Sequence, residues 1–153
     1  MTIGKGLVAL GLALLLTGCS RPAPDATPDG AVRAWLDHME DPLGDPKEAR
    51  EAYRLLGPAA RANLEERAAR AGQMQGRRTE PYELFAAGRF GLKFRPQTMK
   101  STVSGDHATV EVTGDPRALE HASVVCVRHG GGWRVEPELP PLPPLLHRGD
   151  GGT

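Results

Sequence analysis

The chain has 153 residues, with 19 lysines and arginines against 19 aspartates and glutamates, and only 5% aromatic residues. That balance gives no bulk electrostatic reason to seek nucleic acid or an anionic surface, and so few rings make a poor stacking platform for bases, so nucleic acid is not expected as a partner. The length fits one domain, large enough to bury a core without disulfide staples.

The first stretch is a charged start (Met1, Lys5), an apolar run from Leu7 to Leu16, then Thr17, Gly18 and Cys19. A short cationic end, an apolar core of roughly 7–15 residues and a small-residue cleavage site make a secretory signal layout. The run is too short for a membrane span, which needs about 20 apolar residues. Leu16-Thr17-Gly18-Cys19 resembles the lipobox of bacterial lipoproteins. The resemblance implies diacylglycerol thioether attachment at Cys19, cleavage between Gly18 and Cys19, and acylation of the new amine. Removing residues 1–18 from the 153 leaves 135, and without Lys5 the formal charge is −1.

Residues 19–28 read as a proline-rich tether. Nine residues from Ser20 to Pro28 reach roughly 28 Å if extended at about 3.1 Å each. Ser20, non-acidic after the lipobox cysteine, resembles the pattern of lipoproteins sent to the outer membrane in two-membrane envelopes. The expected location is therefore the cell envelope, at the periplasmic face of the outer membrane where there is one. With Cys19 lipidated, Cys126 has no intramolecular partner. Its run, Val124-Val125-Cys126-Val127, marks it as a small buried apolar residue.

A domain is expected over 29–138. The spacing predicts a first helix from Asp29 to Glu40, capped by Thr27 or Asp29, with Val32, Trp35, Leu36 and Met39 on one stripe. Asp45-Pro46-Lys47-Glu48 starts a second helix with Asp45 as cap. Pro58 opens a third, Ala59 to Ala71, ended by Gly72. Thr79-Glu80-Pro81 starts one or two more turns through Phe85. The period then changes: Arg89 to Arg95 alternates polar and apolar, which predicts a half-buried strand.

Residues 98–104 and 107–113 read as two strands joined at Gly105-Asp106, with Ala108, Val110 and Val112 on one face. His121 to Arg128 and Trp133 to Glu138 form a last hairpin around Gly130-Gly131-Gly132. The tail, 139–153, favours polyproline II in its first half, with its leucines packing back on the domain. Helices followed by meandering strands predict an α+β fold: N-terminal helices packed on a curved antiparallel sheet of about four to five strands. The helical start, the hairpins and the closing Gly131-Gly132-Trp133-Arg134-Val135 resemble the nuclear-transport-factor-like, cystatin-like cone domain of small bacterial lipoproteins of uncharacterised function. The resemblance covers Asp29 to Glu138.

No motif carries chemistry. His38, His107, His121, His129 and His147 lack the short pair spacing of a zinc site, so no metal is expected, and no phosphate loop or nucleophile elbow suggests a cofactor or a catalytic residue. Cone-fold cyclases and dehydratases use His and Asp as acid and base, which draws attention to Asp37-His38. Neighbours on a helix point about 100° apart, however, and His38 sits only at the edge of the apolar stripe. The expected function is a lipid-anchored envelope lipoprotein, a non-enzymatic binding or assembly accessory. Its expected partners are the membrane, through the lipid, and an envelope protein or a small apolar ligand. The alternative is a small cone-fold hydrolase or lyase with a pocket lined by Trp35, His38, Phe90 and Phe94.

Overall fold

The computed structural model describes residues 22–40, 45–87, 91–142 and 144. The order is helices α1 (Pro28–His38), α2 (Pro46–Arg54), α3 (Pro58–Gln75) and α4 (Pro81–Ala87), then strands β1 (Thr98–Ser104), β2 (His107–Thr113), β3 (His121–His129) and β4 (Gly132–Glu136). The strands form one open antiparallel sheet in sequence order. This is the expected α+β arrangement, with four strands.

Local chemistry sets most of the element starts. Thr27 accepts a hydrogen bond from the Gly30 amide at 3.1 Å, and Asp45 from the Lys47 amide at 2.8 Å; a proline follows each cap. The β1–β2 hairpin turns at Gly105-Asp106 with the register its sequence predicts. In the second hairpin the turn is Gly130-Gly131, with φ of 61° and 81°, and Gly132 already belongs to β4. Two consecutive left-handed residues match the twist of the flanking strands, and glycine adopts them without a Cβ penalty.

Alternation then sorts the sheet's faces. Ala108, Val110, Val112, Val124, Cys126, Trp133 and Val135 are buried against the helices. From the other side come Val32 and Trp35 of α1, Ala52 of α2, Leu56, Leu64 of α3 and Phe85 of α4. Trp35 and Phe85 pack with ring centroids 6.4 Å apart. Side chains from the two layers thus meet in one core.

Three sequence expectations change. Gly91 to Arg95 is not a strand; residues 88–90 lie outside the described residues. Leu92 and Phe94 do pack against the core while Lys93 and Arg95 are exposed. The alternation correctly marks the facing of side chains, but among the described residues no strand pairs with this segment. Helix α3 runs through Gly72 and ends at Gly76, φ 65°. The Arg77 carbonyl returns so close that a Cβ on Gly72 would stand 2.9 Å from it, so Gly72 serves packing rather than termination. Finally, Pro24–Ala26, read as tether, forms a 3-10 turn. It is held by Asp25, whose carboxylate pairs with Arg134 of β4 at 2.5 Å.

A second long-range device joins the helices to the last strand. Leu56 bridges Val135 in parallel, with Gly57 N–H to Val135 C=O and Val135 N–H to Leu55 C=O both 2.8 Å. The next residue, Glu136, accepts hydrogen bonds from the Ala59 amide at 3.0 Å and the Ala60 amide at 2.9 Å. A side chain 76 residues away therefore caps α3, whose own cap position is Gly57 and offers no side-chain acceptor. Beyond β4 the tail crosses α3. Arg67 donates to the Pro140 carbonyl, and Leu139 packs on the core.

Candidate functional site

A groove of ≈ 530 Å³ lies between α1 and the segment 91–96, with Met99 of β1 in its lining. Its form follows from the two elements that wall it. The last helical turn places Leu36 of α1 beside Met39 and Glu40, the two residues that follow the helix. Across from them, the alternation of 91–96 turns Leu92 and Phe94 toward the core and leaves Lys93 and Arg95 in solvent.

The floor is therefore apolar (Leu36, Met39, Leu92, Phe94, Met99) and the rim is charged (Arg33, Asp37, Glu40, Lys93, Arg95). Arg95 faces Glu40 at 3.8 Å, with both side chains largely exposed. A pair that exposed contributes little to stability. The arrangement can hold an apolar group under a polar rim. It offers no hydrogen-bonded nucleophile and base.

The residues selected from sequence are dispersed. Trp35 is buried in the core, 2% exposed, its indole Nε1 without a hydrogen-bond partner among the described residues. Trp35 also lines a separate, smaller cavity with Leu92, Ser123 and Pro137. His38 lies on another surface, beside Asp25, Arg54 and Arg134. Its Nδ1 is 2.6 Å from the Glu48 carboxylate, tying the end of α1 to the start of α2. Phe94 alone lines the large groove. Phe90, Gly18 and Cys19 lie outside the described residues.

The fold thus does not gather Trp35, His38 and Phe94 into one pocket. The groove residues Leu36 and Met39 are legible as part of the α1 stripe. Met99 and the rim cations Lys93 and Arg95 carry no signal that would join them to α1, because that contact spans more than fifty residues of chain. Among the described residues, no group of three or more His, Cys, Asp or Glu side chains could hold a metal ion.

Cys126 is fully buried, its Sγ directed at the Pro28 carbonyl 4.0 Å away. Burial, with a smaller push from Asp29, raises the thiol to about 12. A thiol held neutral in this way is not a nucleophile at ordinary pH. Tyr53 is likewise raised to about 12 by burial and by donating to Glu65 at 3.0 Å. No protein-family model, no curated protein and no solved structure matches this chain. Among the described residues, no helix is long and apolar enough to cross a membrane.

Proposed function

We propose that this protein is a lipid-anchored lipoprotein of a bacterial cell envelope, acting as a non-enzymatic binding or assembly accessory on a cone-like α+β domain. The observation that carries the reading is Leu16-Thr17-Gly18-Cys19 after a charged start and an apolar run. Several acyl chains on one residue exceed the roughly two signals needed for stable anchoring. Ser20 favours the outer membrane where there are two.

The docked turn at Pro24–Ala26 sharpens the reading. Only residues 20–23 separate Cys19 from it, and the five steps from Cys19 to Pro24 span at most roughly 18 Å. On this reading the side of the domain holding Asp25 and Arg134 lies close to the headgroups, and the groove between α1 and 91–96 is the surface that receives an apolar group of a partner or small ligand. Among the described residues Trp35, His38 and Phe94 line no common cavity, which favours a binding module over a hydrolase or lyase.

The experiment is membrane fractionation and intact mass of wild type and Cys19→Ser expressed in a diderm host. The wild type is expected in the membrane fraction with the mass of residues 19–153 plus acyl chains, and Cys19→Ser in the soluble fraction. An unacylated wild type, or equal membrane retention of the variant, refutes the anchor.

A further inference from the structure

β1 is an edge strand: the sheet order begins with it, and among the described residues nothing pairs with its outer side. It is seven residues long, without proline or bulge, and opposes β2 in unbroken register from Thr98–Thr113 to Ser104–His107. Such an edge is a ready template for another strand unless charge, proline or a cover blocks it.

The backbone pattern says which groups are free. Around a two-residue turn, Ser104 and His107 exchange hydrogen bonds, and the exchange recurs at every second pair. Thr98, Lys100, Thr102 and Ser104 are thus spent on β2. Met99, Ser101 and Val103 present their N–H and C=O groups outward. Their side chains lie on the helix-covered face, since their partners Val112, Val110 and Ala108 are buried. Even so, Val103 is 52% exposed on that face.

We propose that β1 pairs antiparallel with β1 of a second copy of this chain, about a two-fold axis at Ser101, joining two sheets into one of eight strands. In this register Met99 faces Val103 of the other copy, twice, and Ser101 faces Ser101. All three are the residues with free backbone groups, giving about six new hydrogen bonds. The two apolar pairs cover the exposed Val103 on each side. On the opposite face Thr98 meets Ser104 and Lys100 meets Thr102, so no like charges stand directly opposite, and each Lys100 keeps Glu111 as its own cross-strand neighbour. A two-fold at Lys100 would oppose the two lysines. One at Thr102 would leave Met99 without an apolar partner. The side chains themselves thus select the axis at Ser101, and the same self-complementarity makes a second copy the fitting partner.

The interface is small, so the dimer is expected to be reversible and to dissociate on dilution. The test is sedimentation velocity of the full chain over a concentration series, in mild detergent, with Val103→Lys as the disrupting variant. Val103 is exposed in the monomer, so its circular dichroism and melting should match wild type while its dissociation constant rises at least about tenfold. Register is tested in a Cys19→Ser, Cys126→Ala background by Ser101→Cys. The two-fold puts these residues roughly 5.5 Å apart at Cα, within disulfide reach, so mild oxidation should give a covalent dimer. Thr109→Cys, on the outer face of β2, should give none. A wild type that stays monomeric at every concentration overturns the proposal. So does a dimer that Val103→Lys leaves intact, or one that does not cross-link at position 101.

Discussion

Capping of α3 by Glu136 gives a sharp test of how this fold is held together. Replacing Glu136 by alanine removes both acceptors from the amides of Ala59 and Ala60, at 3.0 and 2.9 Å, at the start of an 18-residue helix whose cap residue is glycine. Loss of a cap costs about 1 kcal/mol, and loss of a carboxylate from the positive end of a helix dipole about 0.3–1 kcal/mol more. Both bonds are charge-assisted, which places the sum near 2 kcal/mol. For a domain of this size that lowers Tm by roughly 6–12 °C.

Gly57 supplies the control. A Cβ there would stand 2.2 Å from Glu136 Oε1, and its three nearest neighbours are all atoms of that one side chain. Gly57 has φ −77° and ψ 171°, which alanine adopts without strain. Gly57→Ala should therefore destabilise by expelling the Glu136 carboxylate. Adding Gly57→Ala to Glu136→Ala should then cost almost nothing. Urea unfolding followed by circular dichroism gives the double-mutant cycle. Additive losses, or a Glu136→Ala variant within about 0.5 kcal/mol of wild type, refute the cap.

Two further outcomes follow from buried groups. Cys126 is raised in the fold from an ordinary 9.0 to about 12, so it contributes stability that is complete below about pH 9 and is lost as pH rises toward 12. Between pH 8 and 10, a range that ends at the ordinary value for Tyr53, urea curves should show wild type losing about 1 kcal/mol more than Cys126→Ala; equal slopes would contradict the burial argument. Arg134→Met should release the turn at Pro24–Ala26, because Asp25, its carboxylate only 25% exposed, then loses the cation it is paired with. Exchange of the Ala26 amide, which donates to the Ala23 carbonyl at 2.9 Å, should accelerate at least about tenfold, and unchanged protection would show the turn is held otherwise.

Much of this architecture is legible without coordinates wherever the deciding interactions are local. Thr27-Pro28 and Asp45-Pro46 start helices because cap and donor lie two or three residues apart. Gly105-Asp106 between β-branched runs sets the β1–β2 register, and the period-2 pattern of Ala108, Val110 and Val112 gives the buried face outright. The same reasoning misreads 91–95, since alternation reports burial on one side and says nothing about a neighbouring backbone. It also misplaces the end of α3, because a packing glycine and a terminating glycine are the same letter in a sequence.

The candidate site divides in the same way. Leu36 and Met39 announce an apolar stripe, and Phe94 an apolar anchor, but only the packing of α1 against 91–96 makes a groove of them. Trp35 and His38, drawn into one imagined pocket by their nearness on α1, turn out to serve the core and a carboxylate of α2. The sequence alone determined the chain's charge balance, its helix starts, its hairpins and the burial of Cys126. These depend on residues within a turn or a strand repeat of one another. Tertiary structure alone decided that Glu136 caps a helix 76 residues earlier, that Asp25 leaves the tether to meet Arg134, and that β1 stands at the edge of the sheet. Each depends on which distant segments meet, a choice made by closing a single core around Trp35, Leu56 and Trp133 rather than by local preference.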